Sequence, residues 1–226
     1  MNSIYQRALG PRFTQLHPRI QKRFGFSSAD GIASIGRGTM ERVWLGRIYT
    51  WPFLAVGTWR NIMFPEAGQD VPFTIENYAY RDSFGRETVT WVRTFQFGQH
   101  TRRFDATMIY SESRGKIVDY LGTHQHLAVD IDLEVAANGG LLLYGREQRF
   151  FEGPLAFRFP MAFSGYADVC EWFDDAIGRF RIEVKVTNPF WGPLFGYQGT
   201  FDAEFRQVQP DEIPPHVKPQ REERRE

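Results

Sequence analysis

From Val71 to Arg206 the side chains of this chain alternate, apolar then polar, with a period of two. That period marks half-buried strands, because successive side chains leave a strand toward opposite faces. The alternation is sharpest in three places. Leu127, Val129, Ile131, Leu133 and Val135 oppose His126, Asp130, Asp132 and Glu134. Phe180, Ile182, Val184 and Val186 oppose Arg179, Arg181, Glu183 and Lys185. Phe195, Tyr197, Gly199, Phe201, Ala203 and Phe205 oppose Gln198, Thr200, Asp202, Glu204 and Arg206. Each pattern predicts a strand with one dry face and one wet face.

Successive β segments are predicted at 72–80, 86–97, 102–112, 115–121, 125–135, 140–151, 164–174, 177–187 and 194–206. Their connectors carry turn chemistry, such as Asp82-Ser83-Phe84-Gly85, Asn138-Gly139-Gly140 and Asn188-Pro189. Most are short, so neighbours should pair antiparallel. The longer connection, Glu152 to Phe163, holds Pro154 and Pro160. Eight or nine such strands in series imply a strongly curved meander or a closed barrel, lipocalin- or START-like in outline, which removes exposed edges. The fold class is therefore α+β, mainly antiparallel β, with N-terminal helices packed on the sheet.

The helices belong to residues 1–66. Asn2 or Ser3 can cap a short helix ending at Leu9, with Gly10 and Pro11 as punctuation. A second helix, Pro11 to about Lys22, would put Phe13, Leu16 and Ile20 on one stripe. Residues 26–38 read as turn, short strand and turn, with Gly36-Arg37-Gly38 at a turn or close approach. Helical character is expected from Met40 to about Met63, broken at Pro52. Residues 1–209 form one expected domain, with the barrel or curved sheet at 71–206. The last stretch, PDEIPPHVKPQREERRE (210–226), has few apolar residues and reads as a disordered, solvated tail.

Composition narrows the function classes. Lys+Arg and Asp+Glu both number 27, so no net charge steers the chain toward nucleic acid. The lone Cys170 rules out an intrachain disulfide and agrees with a reducing, cytoplasmic location. No basic region precedes an apolar run at the N-terminus, so no secretory signal is expected. The stretch 44–59, WLGRIYTWPFLAVGTW, is interrupted by Arg47 and Pro52. It reads as buried or amphipathic helix, with peripheral membrane contact as the alternative.

The chain also resembles a bacterial domain family of unknown function, DUF4166. The residues that carry the resemblance are Ile4 to Gly10, Leu16-His17-Pro18, Gly36 to Met40, Pro72-Phe73-Thr74, Trp91 to Phe95, Arg179 to Val186, and Gly196 to Gly199. It runs in order across roughly residues 4–206. The resemblance implies no established activity, substrate, cofactor or catalytic residue. The histidine segment Asp119 to His126 looks peculiar to a subset of that family.

One residue breaks the dry-face rule. In TVTWVRTFQF (88–97), Arg93 shares a face with Val89, Trp91, Phe95 and Phe97. Glu171 likewise shares a face with Ala167, Val169 and Phe173. Two opposite charges on dry faces suggest a buried Arg93–Glu171 pair. The alternative is that Arg93 grips an anionic head group at the base of an apolar cavity, for which its planar fork is suited. A ligand-binding set would then comprise Arg93, Trp91, Glu171, Tyr197, Phe95 and Tyr110. His124 and His126 would face the same way on a strand, toward water, and are the metal candidates, although no third ligand is specified. Cys170 beside Glu171 reads as packing, since a nearby acid raises a thiol pKa. Other acids, Glu76, Glu87, Asp105 and Asp119, cannot be paired from spacing.

Three functions follow, in this order. The first is a non-catalytic binding module for a lipid or other hydrophobic small molecule. The second is a solid-core structural or interaction domain, for which the 16% aromatic content argues. The third is an enzyme with a small pocket around Arg93, Glu171 and Tyr197. No catalytic residue, cofactor or nucleic-acid partner is assigned.

Overall fold

The computed structural model describes residues 2–47, 51–160, 162 and 164–226, with backbone only at 52 and 53. Among these residues ten antiparallel strands close into a barrel. They are β1 (Ile32–Leu45), β2 (Gly68–Arg81), β3 (Glu87–Phe97), β4 (His100–Ser111), β5 (Lys116–Leu121), β6 (Leu127–Val135), β7 (Leu141–Glu152), β9 (Tyr166–Asp174), β10 (Arg179–Asn188) and β11 (Gly192–Gln207). Each pairs with the next, and β1 pairs with β11 to close the ring. The short β8 (Leu155–Arg158) hangs on the end of β7 as a hairpin flap, outside the ring. All nine predicted strands are present.

β1 was foreseen only in part, as a short strand within residues 26–38. Residues 40–45 read as helix because Met40 and Val43, three apart, both point inward. The cause is a register shift between Thr39 and Arg42, which slips the inside–outside phase by one residue. Gly36 and Gly38 lie within this strand and not at a turn. A Cβ on Gly36 would meet Ile75 Cγ2 at 2.5 Å and the Phe201 ring at 2.8 Å, so close packing explains it.

The helical segments close both mouths of the barrel. At the first mouth, α1 (Ile4–Leu9) starts at a Ser3 capping box with Gln6. The expected second helix is divided. A 3-10 turn spans Gly10–Gln15, and α2 runs Pro18–Phe24, because Pro18 holds His17 extended at φ −55°, ψ 141°. Ile4, Tyr5, Leu9, Phe13, Leu16, Ile20 and Phe24 all enter the barrel core. At the opposite mouth stand α3 (Trp51–Thr58) and the segment after it. Leu54 and Phe64 are buried there, and Phe64 packs on Phe95, Phe97 and Phe195. A ten-strand barrel is wider than the roughly eight strands whose side chains alone fill the interior, so plugs are required.

Residues 210–226, expected as a solvated tail, lie against the outside of the barrel. Ile213 and Val217 cover Ala33, Ile35, Tyr78, Tyr80 and Val92. The tail backbone is held by side chains: Arg103 Nη2 donates to His216 O at 2.8 Å, Arg86 Nη2 to Glu223 O at 2.7 Å and Tyr120 OH to Arg225 O at 2.9 Å. Four prolines in the segment leave fewer backbone donors to satisfy. Its own low apolar content misleads because the wall beneath supplies the apolar surface.

Candidate functional site

β3 is a wall strand of the barrel with Trp91, Arg93 and Phe95 pointing inward, as the alternation requires. Arg93 is 3% exposed. Its Nε donates to Phe104 O at 3.1 Å and its Nη1 to the Tyr197 hydroxyl at 3.2 Å. The guanidinium lies over the Phe104 ring, 3.8 Å from the centroid, which fixes its plane. Tyr197 and Phe95 sit in a packed aromatic cluster with Phe73 and Phe195, and so buttress the arginine from one side.

Opposite that cluster is an interior cavity of about 80 Å³. Trp91 and Arg93 line it, with Asp119, Met108, Val129 and Gln148 among the other walls. Its outer end is bordered by Ile62, Met63 and Ser164, which are half-buried. Trp91 Nε1 donates to the Tyr5 hydroxyl at 2.8 Å, and that hydroxyl donates to Met108 Sδ at 3.4 Å. The plug helix α1 is thereby tied to the cavity wall.

Asp119, which the sequence offered as one of four unpaired acids, belongs to the site. It points inward from β5, 6% exposed, and its Oδ1 is enclosed with no hydrogen-bond donor among the described residues. Burial pushes its carboxyl up to about 7, against the pull of the Arg93 guanidinium. Arg93 and Asp119 thus face one cavity without forming an ion pair. The signal was available: Ile117, Asp119 and Leu121 form an inward stripe like that around Arg93. Val118 and Tyr120 hid it, because both are buried on the outer side, so the strand reads apolar throughout.

Glu171 is buried as its face predicted, but its partner is Arg23 of α2 and not Arg93. Arg23 donates Nε to Glu171 Oε1 and Nη2 to Oε2, and its Nη1 to Ser34 Oγ at 2.8 Å. Desolvation raises the Glu171 carboxyl, and Arg23 opposes it. Arg23 lies three residues after Ile20, on the apolar stripe of its helix, so it enters the barrel with that stripe. This pair lies at the first mouth, and Glu171 is committed to it. Tyr110 is half-buried under Arg7, whose guanidinium carbon is 4.4 Å from its ring centroid. Of the six expected ligand-binding residues, Trp91 and Arg93 line the cavity.

The remaining candidates fall into structural roles. His124 and His126 stack at 5.7 Å, and His126 Nδ1 is 2.8 Å from Glu152. No group of three or more His, Cys, Asp or Glu among the described residues is placed to hold a metal. Cys170 is half-buried, and desolvation followed by Glu183 pushes its thiol up to about 11, the inert range. Of the stretch 44–59, residues 44 and 45 end β1, residues 48–50 lie outside the described residues, and α3 exposes Trp51 and Val56. No helix among the described residues is long and apolar enough to cross a membrane. A second pocket, about 360 Å³, lies outside the barrel between the tail and β2, with Tyr78, Tyr80, Ile213 and Lys218 on its walls. It gathers none of the expected site residues.

The comparisons with known proteins agree with this picture without adding an activity. An uncharacterized protein of Bacillus subtilis (strain 168), YndH, is 33% identical over 207 residues, which are 92% of this chain and all of that protein. No solved structure matches. The model of a domain of unknown function matches residues 16–201, which cover the second plug helix and every barrel strand, most of β11 included. The chain therefore belongs to the DUF4166 family.

Proposed function

We propose that the protein is a non-catalytic binding module whose barrel interior takes a small apolar molecule with one polar end. The observation that carries this reading is Asp119. An enclosed carboxylate oxygen without a donor is costly in a folded protein, and a ligand that supplies the donor removes the cost. Arg93 stands across the same space with donors to spare, since only two of its roughly five N–H groups are used. The rest of the wall is largely apolar, as in small-molecule sites generally.

Size limits the ligand. Drug-sized molecules occupy pockets of about 300–1,000 Å³, whereas this cavity measures about 80 Å³. A lipid chain is too large, so the ligand is a compact molecule of a few carbon atoms. The half-buried thiol of Cys170 suits a reducing cytoplasm.

The Trp91 indole N–H, which borders the cavity, is the reporter for the test. Small probes such as ethanol and acetamide are expected to shift its NMR resonance in the wild type. Ala167→Leu, which fills the cavity from β9, should abolish the shift while the rest of the spectrum persists. If no probe moves the indole resonance of a folded sample, the second reading stands: a solid-core structural domain. The tight cluster of Phe64, Phe73, Phe95, Phe195 and Tyr197 is the observation that favours it.

A further inference from the structure

We infer that the ligand of the interior cavity is a short-chain monocarboxylic acid, held as its carboxylate by Arg93 while Asp119 is protonated and donates to it. The inference rests on the binding reading above and specifies its chemistry.

The cation sets the requirement. Arg93 is fixed by Phe104 and Tyr197, and both of its acceptors are uncharged. The other interior charges, Arg23 and Glu171, satisfy each other at the plugged mouth. Arg93 therefore lacks a contacting anion inside the barrel. A carboxylate placed between Arg93 and Asp119 supplies one, and guanidinium binds carboxylate through two parallel N–H bonds.

The same placement resolves Asp119. Two carboxyl groups side by side in a dry site do not both ionise, so they share one proton. Asp119 Oδ1 then becomes one end of an O–H···O bond instead of an enclosed oxygen without a donor. An amine at this spot would face the guanidinium as a like charge. An amide or alcohol would pair with ionised Asp119 and leave Arg93 without an anion in contact. The volume sets the length: a cavity of about 150 Å³ holds benzene, and this one is about 80 Å³. By that scale the space takes roughly three to four heavy atoms, so acetate, with one carbon beyond its carboxylate, is the match.

The titratable and charged groups facing Asp119 are Arg93 from β3 and Tyr5 from α1, with the Arg23–Glu171 pair beyond Tyr5. The paired positions on β4 and β6 are Met108 and Val129, which do not titrate. Burial raises the Tyr5 hydroxyl well above its ordinary range, so it stays protonated. Asp119 is thus the group whose proton answers to the ligand. Free, its carboxyl titrates at about 7. Beside a bound carboxylate it titrates higher, so binding takes up a proton at alkaline pH.

Calorimetry on the full chain tests this with acetate and its near-isostere acetamide, at pH 6 and pH 8.5, in two buffers of different ionisation heat. Acetate should bind about thirtyfold more weakly at pH 8.5 than at pH 6, with uptake of about one proton at the higher pH. Asp119→Asn supplies a permanent donor, so it should keep acetate binding while the pH dependence and proton uptake vanish. The wild-type pair of buffers decides the matter should that variant fail to fold. Acetamide binding more tightly than acetate at pH 6, or acetate binding without proton uptake at pH 8.5, overturns the acid assignment and leaves the cavity reading intact. Neither probe binding, with the Trp91 indole unmoved by either, overturns the cavity reading itself.

Discussion

Among the described residues, the acids Asp119 and Glu171 and the arginines Arg23 and Arg93 are buried inside this barrel, and of these Arg23 and Glu171 are joined. For Arg23 and Glu171, removing one partner strands the other. Arg23→Met is expected to cost about 3–5 kcal/mol in urea unfolding, and Arg23→Met with Glu171→Leu much less. If the double variant is no more stable than the single one, the pair is not the unit described. Asp119 makes a different prediction. Its folded pKa is raised, so the native state holds a proton that the unfolded chain has released. Stability then falls as pH rises from about 4 to about 7. Asp119→Asn should be flatter across that window and more stable than the wild type at pH 8. Equal pH profiles for the two proteins would contradict it. Side-chain parity along the sequence placed Arg93 and Glu171 indoors correctly. It could not pair them, because parity gives the face of a strand and says nothing of height along the barrel axis. Arg23, from a helix, settles Glu171 at a level that Arg93 does not reach.

Strands with one wet face were legible, and those covered on both faces were harder. β10 and most of β11 show clean alternation because their outer faces meet water, whereas β6 alternates in sequence although Ala128 and Asp130 on its outer side are buried. Only the first part of β1 was legible, because its bulge breaks the period at the point where a helix pattern takes over. Gly36 in that strand offers a direct check. Gly36→Val should destabilise the fold by about 1–3 kcal/mol through overpacking against Ile75 and Phe201. Adding Phe201→Leu should recover part of the loss in thermal melts. The tail is the other element that sequence composition misjudged. Ending the chain after Pro210 removes Ile213 and Val217 from the wall and releases Arg86 and Tyr120 from their acceptors. The shortened protein should melt at lower temperature and bind a hydrophobic dye. A truncated chain with unchanged melting and no dye binding would show the tail contributes nothing to the wall.

The barrel as a whole is a ring closed by its most distant strands. β1 pairs with β11 from Ile32 against Gln207 to Leu45 against Phe195. Such non-local closure is slow to find, so refolding is expected on the millisecond-to-second scale, followed by Trp91 fluorescence. β1 also threads from the mouth plugged by α1 and α2 to the mouth covered by α3, so both lids belong to one stretch of chain on either side of the seam strand. Without β11 the other nine strands of the ring leave β1 and β10 as open edges. A nick that frees β11 would therefore open the ring between β1 and β10 and expose the side on which Arg93 and Asp119 lie.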